Sequence, residues 1–98
     1  MLTREQIIKI LREYKQNSKY RDRIKEIGLF GSYAGSSEKK RNDVDIFVRL
    51  DQPRMFDMIG IKFDLEKILK KKVDIIALRS KMNKFLREEI KNNGIRIQ

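Results

Sequence analysis

The chain has 98 residues, room for one domain spanning 1–98 with a modest core, because at this size roughly 60–65% of the unfolded surface can be buried. It contains no cysteine and no histidine, which excludes disulfides, thiolate or imidazole zinc sites, cysteine nucleophiles and histidine bases; carboxylates, hydroxyls, amines and metals must carry any chemistry. Twenty-four basic residues against 14 acidic ones give a net charge of +10, suited to phosphate-rich or acidic partners and equally to a lysine-rich, solvated surface.

No apolar run approaches the ~20 residues of a membrane span, and the N-terminus carries no signal-peptide pattern, so the expected location is the cytoplasm. Residues 3–16 read as a helix. Thr3 with Gln6 makes a capping box, and Ile7, Ile8, Leu11 and Tyr14 form one apolar stripe suited to core packing. Residues 17–26 are a polar joint, in which Tyr20 packs on the helix. Ile27 to Phe30 is a first strand, ended by Gly31, and Ser32 is expected to cap a following helical turn.

Asp43 to Leu50 is a second strand. Side chains alternate faces along it, so Asp43, Asp45 and Phe47 share one face while Val44, Ile46 and Val48 share the other. Both faces turn apolar beyond the acids, which predicts a central strand. Pro53 ends that region, and residues 54–70 form a helix expected to turn Met55, Met58, Ile59, Phe63, Ile68 and Leu69 inward, with Gly60 allowing close packing. Val73 to Leu78 is a third strand. Ser80 is expected to cap a last helix over 81–93, with Met82, Phe85, Leu86 and Ile90 inward and Gly94 as its stop; the tail can add a short edge strand. The pattern predicts an α/β (α+β) domain, a small mixed sheet with helices packed on it.

Chemistry concentrates between Leu29 and Leu50. Asp43 and Asp45 lie within about 7 Å of each other by strand rise and repel unless a cation joins them. Hard oxygen donors of this kind suit Mg2+ or Mn2+. Upstream, the Gly31–Ser32 turn can offer backbone N–H groups and a hydroxyl to a phosphate. Together they suggest nucleotide chemistry. Asp74 is a single acid in an apolar strand, where it is expected to be buried; it reads either as a functional carboxylate or as a strand-entrance residue paired with Lys70, Lys71 or Lys72.

Gly31-Ser32, ten intervening residues, then Asp43-Val44-Asp45 resembles the GS-x10-DxD signature of the DNA polymerase beta-like nucleotidyltransferases. The short length is similar to their minimal nucleotidyltransferase (MNT) branch, the antitoxin partners of HEPN toxins. The resemblance implies the nucleotidyltransferase fold and a two-metal transfer of a nucleoside monophosphate, AMP from ATP, to a hydroxyl. Asp43, Asp45 and Asp74 would hold two Mg2+, Gly31 and Ser32 the β- and γ-phosphates, and Asp74 would activate the acceptor hydroxyl. The implied acceptor is a tyrosine of a HEPN ribonuclease toxin, since the acceptor must be presented by another protein or a second copy of this chain.

The chain departs from the family where Gly35 replaces a usual arginine and Asn42 a usual serine; Ser37, Lys39, Lys40 and Arg41 lie close by in sequence and can supply the missing charge, although Lys39-Lys40-Arg41 reads more readily as a solvated loop. Two other readings fit the same residues: an antitoxin that neutralises its toxin by binding without catalysis, and a basic RNA-binding module whose acids are incidental.

Overall fold

The computed structural model describes residues 2–34, 43–52 and 54–97, the side chain of Ser32 excepted. Gly35, Ser37, Lys39, Lys40, Arg41, Asn42 and Pro53, singled out above, lie outside these residues. The described elements are α1 (Arg4–Asn17), β1 (Ile24–Phe30), a single 3-10 turn (Gly31–Tyr33), β2 (Val44–Leu50), α2 (Met55–Leu69), β3 (Val73–Ala77), α3 (Lys84–Asn93) and β4 (Ile95–Arg96). The strands form one mixed sheet in the order β3-β2-β1-β4, with β2 parallel to β3 and antiparallel to β1. β2 is thus central, as its two-sided apolar pattern predicts, and the tail does add an edge strand, β4, antiparallel to β1. Among the described residues no helix is long and apolar enough to cross a membrane.

Helix α1 starts where its capping box places it. The Thr3 hydroxyl accepts from the Gln6 N–H at 3.1 Å, and the Gln6 side chain accepts from the Thr3 N–H at 2.8 Å. Its buried face is Ile7, Leu11 and Tyr14. β1 begins three residues earlier than alternation suggests, because a register shift between Ile24 and Glu26 lets Ile24 and Ile27 both enter the core.

The main core lies between one face of the sheet and helices α1 and α2, built from Ile7, Leu11, Ile27, Leu29, Val44, Ile46, Val48, Ile61 and Leu65, all fully buried. On the opposite face a smaller cluster of Phe30, Phe47 and Ile90, joined by Ile76, Leu78, Met82 and Leu86, seats α3.

Helix α2 is rotated relative to the expectation. Asp57, Ile61, Leu65 and Leu69 face inward, while Met55, Phe56, Ile59, Phe63 and Ile68 are exposed. Apolar residues occupy both sides of this helix, so periodicity alone cannot choose a face. Polar anchors choose it: the Arg23 Nη1–H donates to Asp57 Oδ1 at 2.8 Å, and the Tyr14 hydroxyl donates to Asp64 Oδ2 at 2.8 Å. Gly60 does permit a close approach; a β-carbon there would strike the hydroxyl of the buried Tyr20.

Two further expectations change. The last helix is capped by Asn83, whose side chain accepts from the Leu86 N–H at 3.1 Å, and Ser80 lies in the preceding turn, where its carbonyl accepts from Arg87. An asparagine three residues before an available N–H satisfies that donor and starts the helix later. Phe85 then points to solvent, and Leu86 and Ile90 make the inward contacts.

Candidate active site

Three strands bring the predicted residues to one end of the sheet. β1 runs into the 3-10 turn at Gly31, and the last residue of β1, Phe30, pairs with Asp45 of β2. On its other side Asp45 pairs with Asp74 of β3. Residues opposite one another on neighbouring strands project to the same face, so Phe30, Asp45 and Asp74 all leave the sheet on the side that seats α3. Asp43 immediately precedes β2, whose first N–H, from Val44, donates to the Lys72 carbonyl at 2.9 Å. That bond holds the segments bearing Asp43 and Asp74 side by side.

Gly31 sits against the acids. Its φ is +72°, in the left-handed region that favours glycine, and a β-carbon at this position would collide with Asp45 Oδ2. The conformation and the close approach both require glycine. The turn closes with the Ala34 N–H donating to the Gly31 carbonyl at 3.2 Å, and the Ala34 carbonyl accepts from Arg4 Nη1 at 3.2 Å, tying the turn to α1. The residue flanking the turn is Phe30, with no side-chain cap, so Ser32 lies within the turn and is not its N-cap.

Asp43 and Asp45 are half-buried. Asp74 is exposed because β3 is an edge strand, which removes the supposed burial that its apolar neighbours suggested. Among the described residues no three carboxylates converge into a preassembled metal cluster. The donor chemistry nonetheless fits a hard divalent cation: the acids at this end of the sheet offer only carboxylate oxygens, two of them, Asp45 and Asp74, held in register by adjoining strands.

The same sheet face carries groups that sequence reasoning did not single out. Beyond Phe47, away from the acids, a cleft of about 620 Å³ is lined by Arg49, Arg79, Arg87, Lys91 and Arg96 over a floor that includes Leu78 and Ile90. Two of these cations are committed: Arg49 and Arg96 both pair with Glu26, at 2.6 and 2.8 Å. Residues from β2, α3, β4 and the loop before α3 make this cluster, and no local sequence signal announces it.

Residues 5–98 match the family described as Polymerase beta, Nucleotidyltransferase. Among related proteins, the protein adenylyltransferase MntA of Thermococcus cleftensis is 35% identical over 94 residues, covering 92% of this chain and 95% of the relative. Two solved structures share the fold. One is a tri-AMPylated Shewanella oneidensis HEPN toxin in complex with an MNT antitoxin, with a TM-score of 0.68, 22% identity and 98% of this chain covered against 72% of the other. The second is a toxin–antitoxin with AMP-PNP, with a TM-score of 0.71, 24% identity and coverage of 94% and 72%. A left-handed glycine turn packed on the first of two in-register carboxylates, within a sequence matching that family almost end to end, leads to one conclusion: this chain belongs to the polymerase beta nucleotidyltransferase family.

Proposed function

We propose that the protein transfers AMP from ATP to a hydroxyl, a tyrosine, on a HEPN-domain toxin partner, and so acts as the antitoxin of a toxin–antitoxin pair. The observation that carries this reading is the placement of Gly31 against Asp45, with Asp45 paired to Asp74. The adenylyltransferase name of a relative, and the AMPylated toxin and AMP-PNP in structurally similar assemblies, support the nucleotide and the partner.

In this mechanism the turn at Gly31 presents backbone N–H groups to the β- and γ-phosphates with no side chain intervening at the glycine, and Ser32 adds its hydroxyl. Asp43, Asp45 and Asp74 are the residues that would hold magnesium, two ions in the full reading. Bound there, magnesium would neutralise charge on the phosphates and on the entering and leaving oxygens. The acceptor oxygen bonds to the α-phosphorus as the bond from that phosphorus to the α,β-bridging oxygen breaks, and pyrophosphate leaves in line. Asp74 is exposed at the sheet edge, where an incoming hydroxyl can reach it, and takes the hydroxyl proton.

The test uses ATP labelled at the α-phosphate, Mg2+, a purified HEPN-domain protein from the same source and either the wild type or Asp43→Asn/Asp45→Asn. Label on the HEPN protein only with the wild type is the expected result. Complex formation without transfer would replace this reading with neutralisation by binding alone.

A further inference from the structure

We infer that the outer face of α2 is the surface by which this protein grips a partner protein, one that offers an apolar helical face flanked by carboxylates. The observation is a stripe that folding leaves uncovered. Phe56, Ile59 and Phe63 follow one another at helical spacing on the side of α2 away from the sheet, with Met55 beside them. Phe56 is 87% exposed, Met55 77% and Phe63 63%. Large apolar groups adjacent on one face of a small, highly charged domain mark a contact surface.

The charges around the stripe say what covers it. α2 contains three acids, and each is bound inward: Asp57 by Arg23, Asp64 by Tyr14, and Glu66 by the Val73 N–H at 2.9 Å. Its lysines have no such partners among the described residues. Lys67 and Lys70 continue the line of the stripe, and Lys62, Lys70, Lys71 and Lys72 surround a single carboxylate, Glu66, in a shallow depression at the end of the helix. An apolar centre whose rim carries lysines in excess over Glu66 complements an apolar centre with an acidic rim. A second copy of this chain would bring another +10 against the same rim, so self-association is not the use of this face.

Position adds a functional consequence. α2 packs on one face of the sheet, whereas Asp45 and Asp74 leave the other. A partner held at α2 therefore leaves the acids uncovered for an acceptor hydroxyl. This inference rests on the partner proposed above for the site.

Isothermal titration of the full chain with the purified HEPN-domain protein tests it, using Phe56→Ser/Phe63→Ser, Lys62→Glu/Lys67→Glu/Lys70→Glu and Asp43→Asn/Asp45→Asn. The changed residues are solvent-facing or partly so, and circular dichroism melts check that each variant folds. The expected result is at least tenfold weaker binding for both α2 variants, unchanged binding for the aspartate variant, and unchanged ATP affinity for the phenylalanine variant. Wild-type binding that both α2 variants retain overturns the docking surface and leaves the partner reading intact. Absence of wild-type binding overturns both. Concentration-dependent dimerisation lost in the phenylalanine variant assigns the face to a second copy, and flotation with phosphatidylserine vesicles lost in the same variant assigns it to an anionic membrane; either overturns the inference.

Discussion

The α-carbon of Gly31 lies so close to the Asp45 carboxylate that no β-carbon fits between them. Gly31→Ala therefore meets two obstacles, the collision and a left-handed φ that costs a side-chain-bearing residue about 1–2 kcal/mol. The expected result is a loss of about that size in urea unfolding. Transfer falls on the order of a hundredfold, because Asp45 must shift. Activity that survives the substitution would remove the turn from the site.

Asp45 and Asp74 form a second opposed pair, of like charge, on adjacent strands. Replacing the exposed member, Asp74→Asn, relieves repulsion and raises stability by a few tenths to about 1 kcal/mol in the absence of metal. The same change is expected to lower transfer by roughly 10²- to 10⁴-fold. Added Mg2+ raises the wild-type Tm and raises that of the variant less. A destabilised variant would show that Asp74 is a structural residue.

The Arg23–Asp57 pair is half in the core: Asp57 is 7% exposed, while the arginine side chain is largely solvated. Arg23→Ala strands a buried carboxylate, and the expected cost in urea unfolding is about 1–3 kcal/mol. Asp57→Leu in the same background recovers part of that loss, since the stranded charge is then gone. A double-mutant cycle measures the coupling.

Tyr14 offers a pH signature. Burial pushes its hydroxyl pKa up, and the bond to Asp64 with that carboxylate's charge pushes it further. In the unfolded chain the hydroxyl ionises near pH 10, whereas in the folded protein it keeps its proton, so the unfolded state binds fewer protons above that pH. The stabilisation is complete below pH 10 and is lost as pH rises beyond it toward the folded value. Unfolding free energy measured from pH 9 to 11 should fall more steeply for wild type than for Tyr14→Phe, which shares the lysine titration. Equal slopes would mean the hydroxyl is not protected.

Strands with a covered face were legible in the sequence because alternation carries their orientation: it sets Asp43 and Asp45 opposite Val44 and Ile46, and β2 has Asp45, Val44 and Ile46 so placed. The turn at Gly31 was legible for a related reason, since its left-handed backbone and its approach to Asp45 require glycine. What failed was information held at long range. Asp57 and Asp64 orient α2 through partners 34 and 50 residues away, and nothing within the helix reveals them. Asp74 looked buried among Val73, Ile75 and Ile76, but an edge strand has only one neighbour to cover it. Ser80 and Asn83 are both competent caps, and tertiary packing of Leu86 and Ile90 selected the later one.

The two polar bolts on α2 also separate two kinds of heredity. The rotation of the helix is written in Arg23, Asp57, Tyr14 and Asp64, together with Ile61 and Leu65 beneath them. Met55, Phe56, Ile59 and Phe63 contribute little to it. Substitutions on the outer side can therefore accumulate without refolding the domain, and, with that side as the docking surface inferred above, a lineage of such proteins could change its allegiance from one partner to another while the sheet and its carboxylates stay as they are.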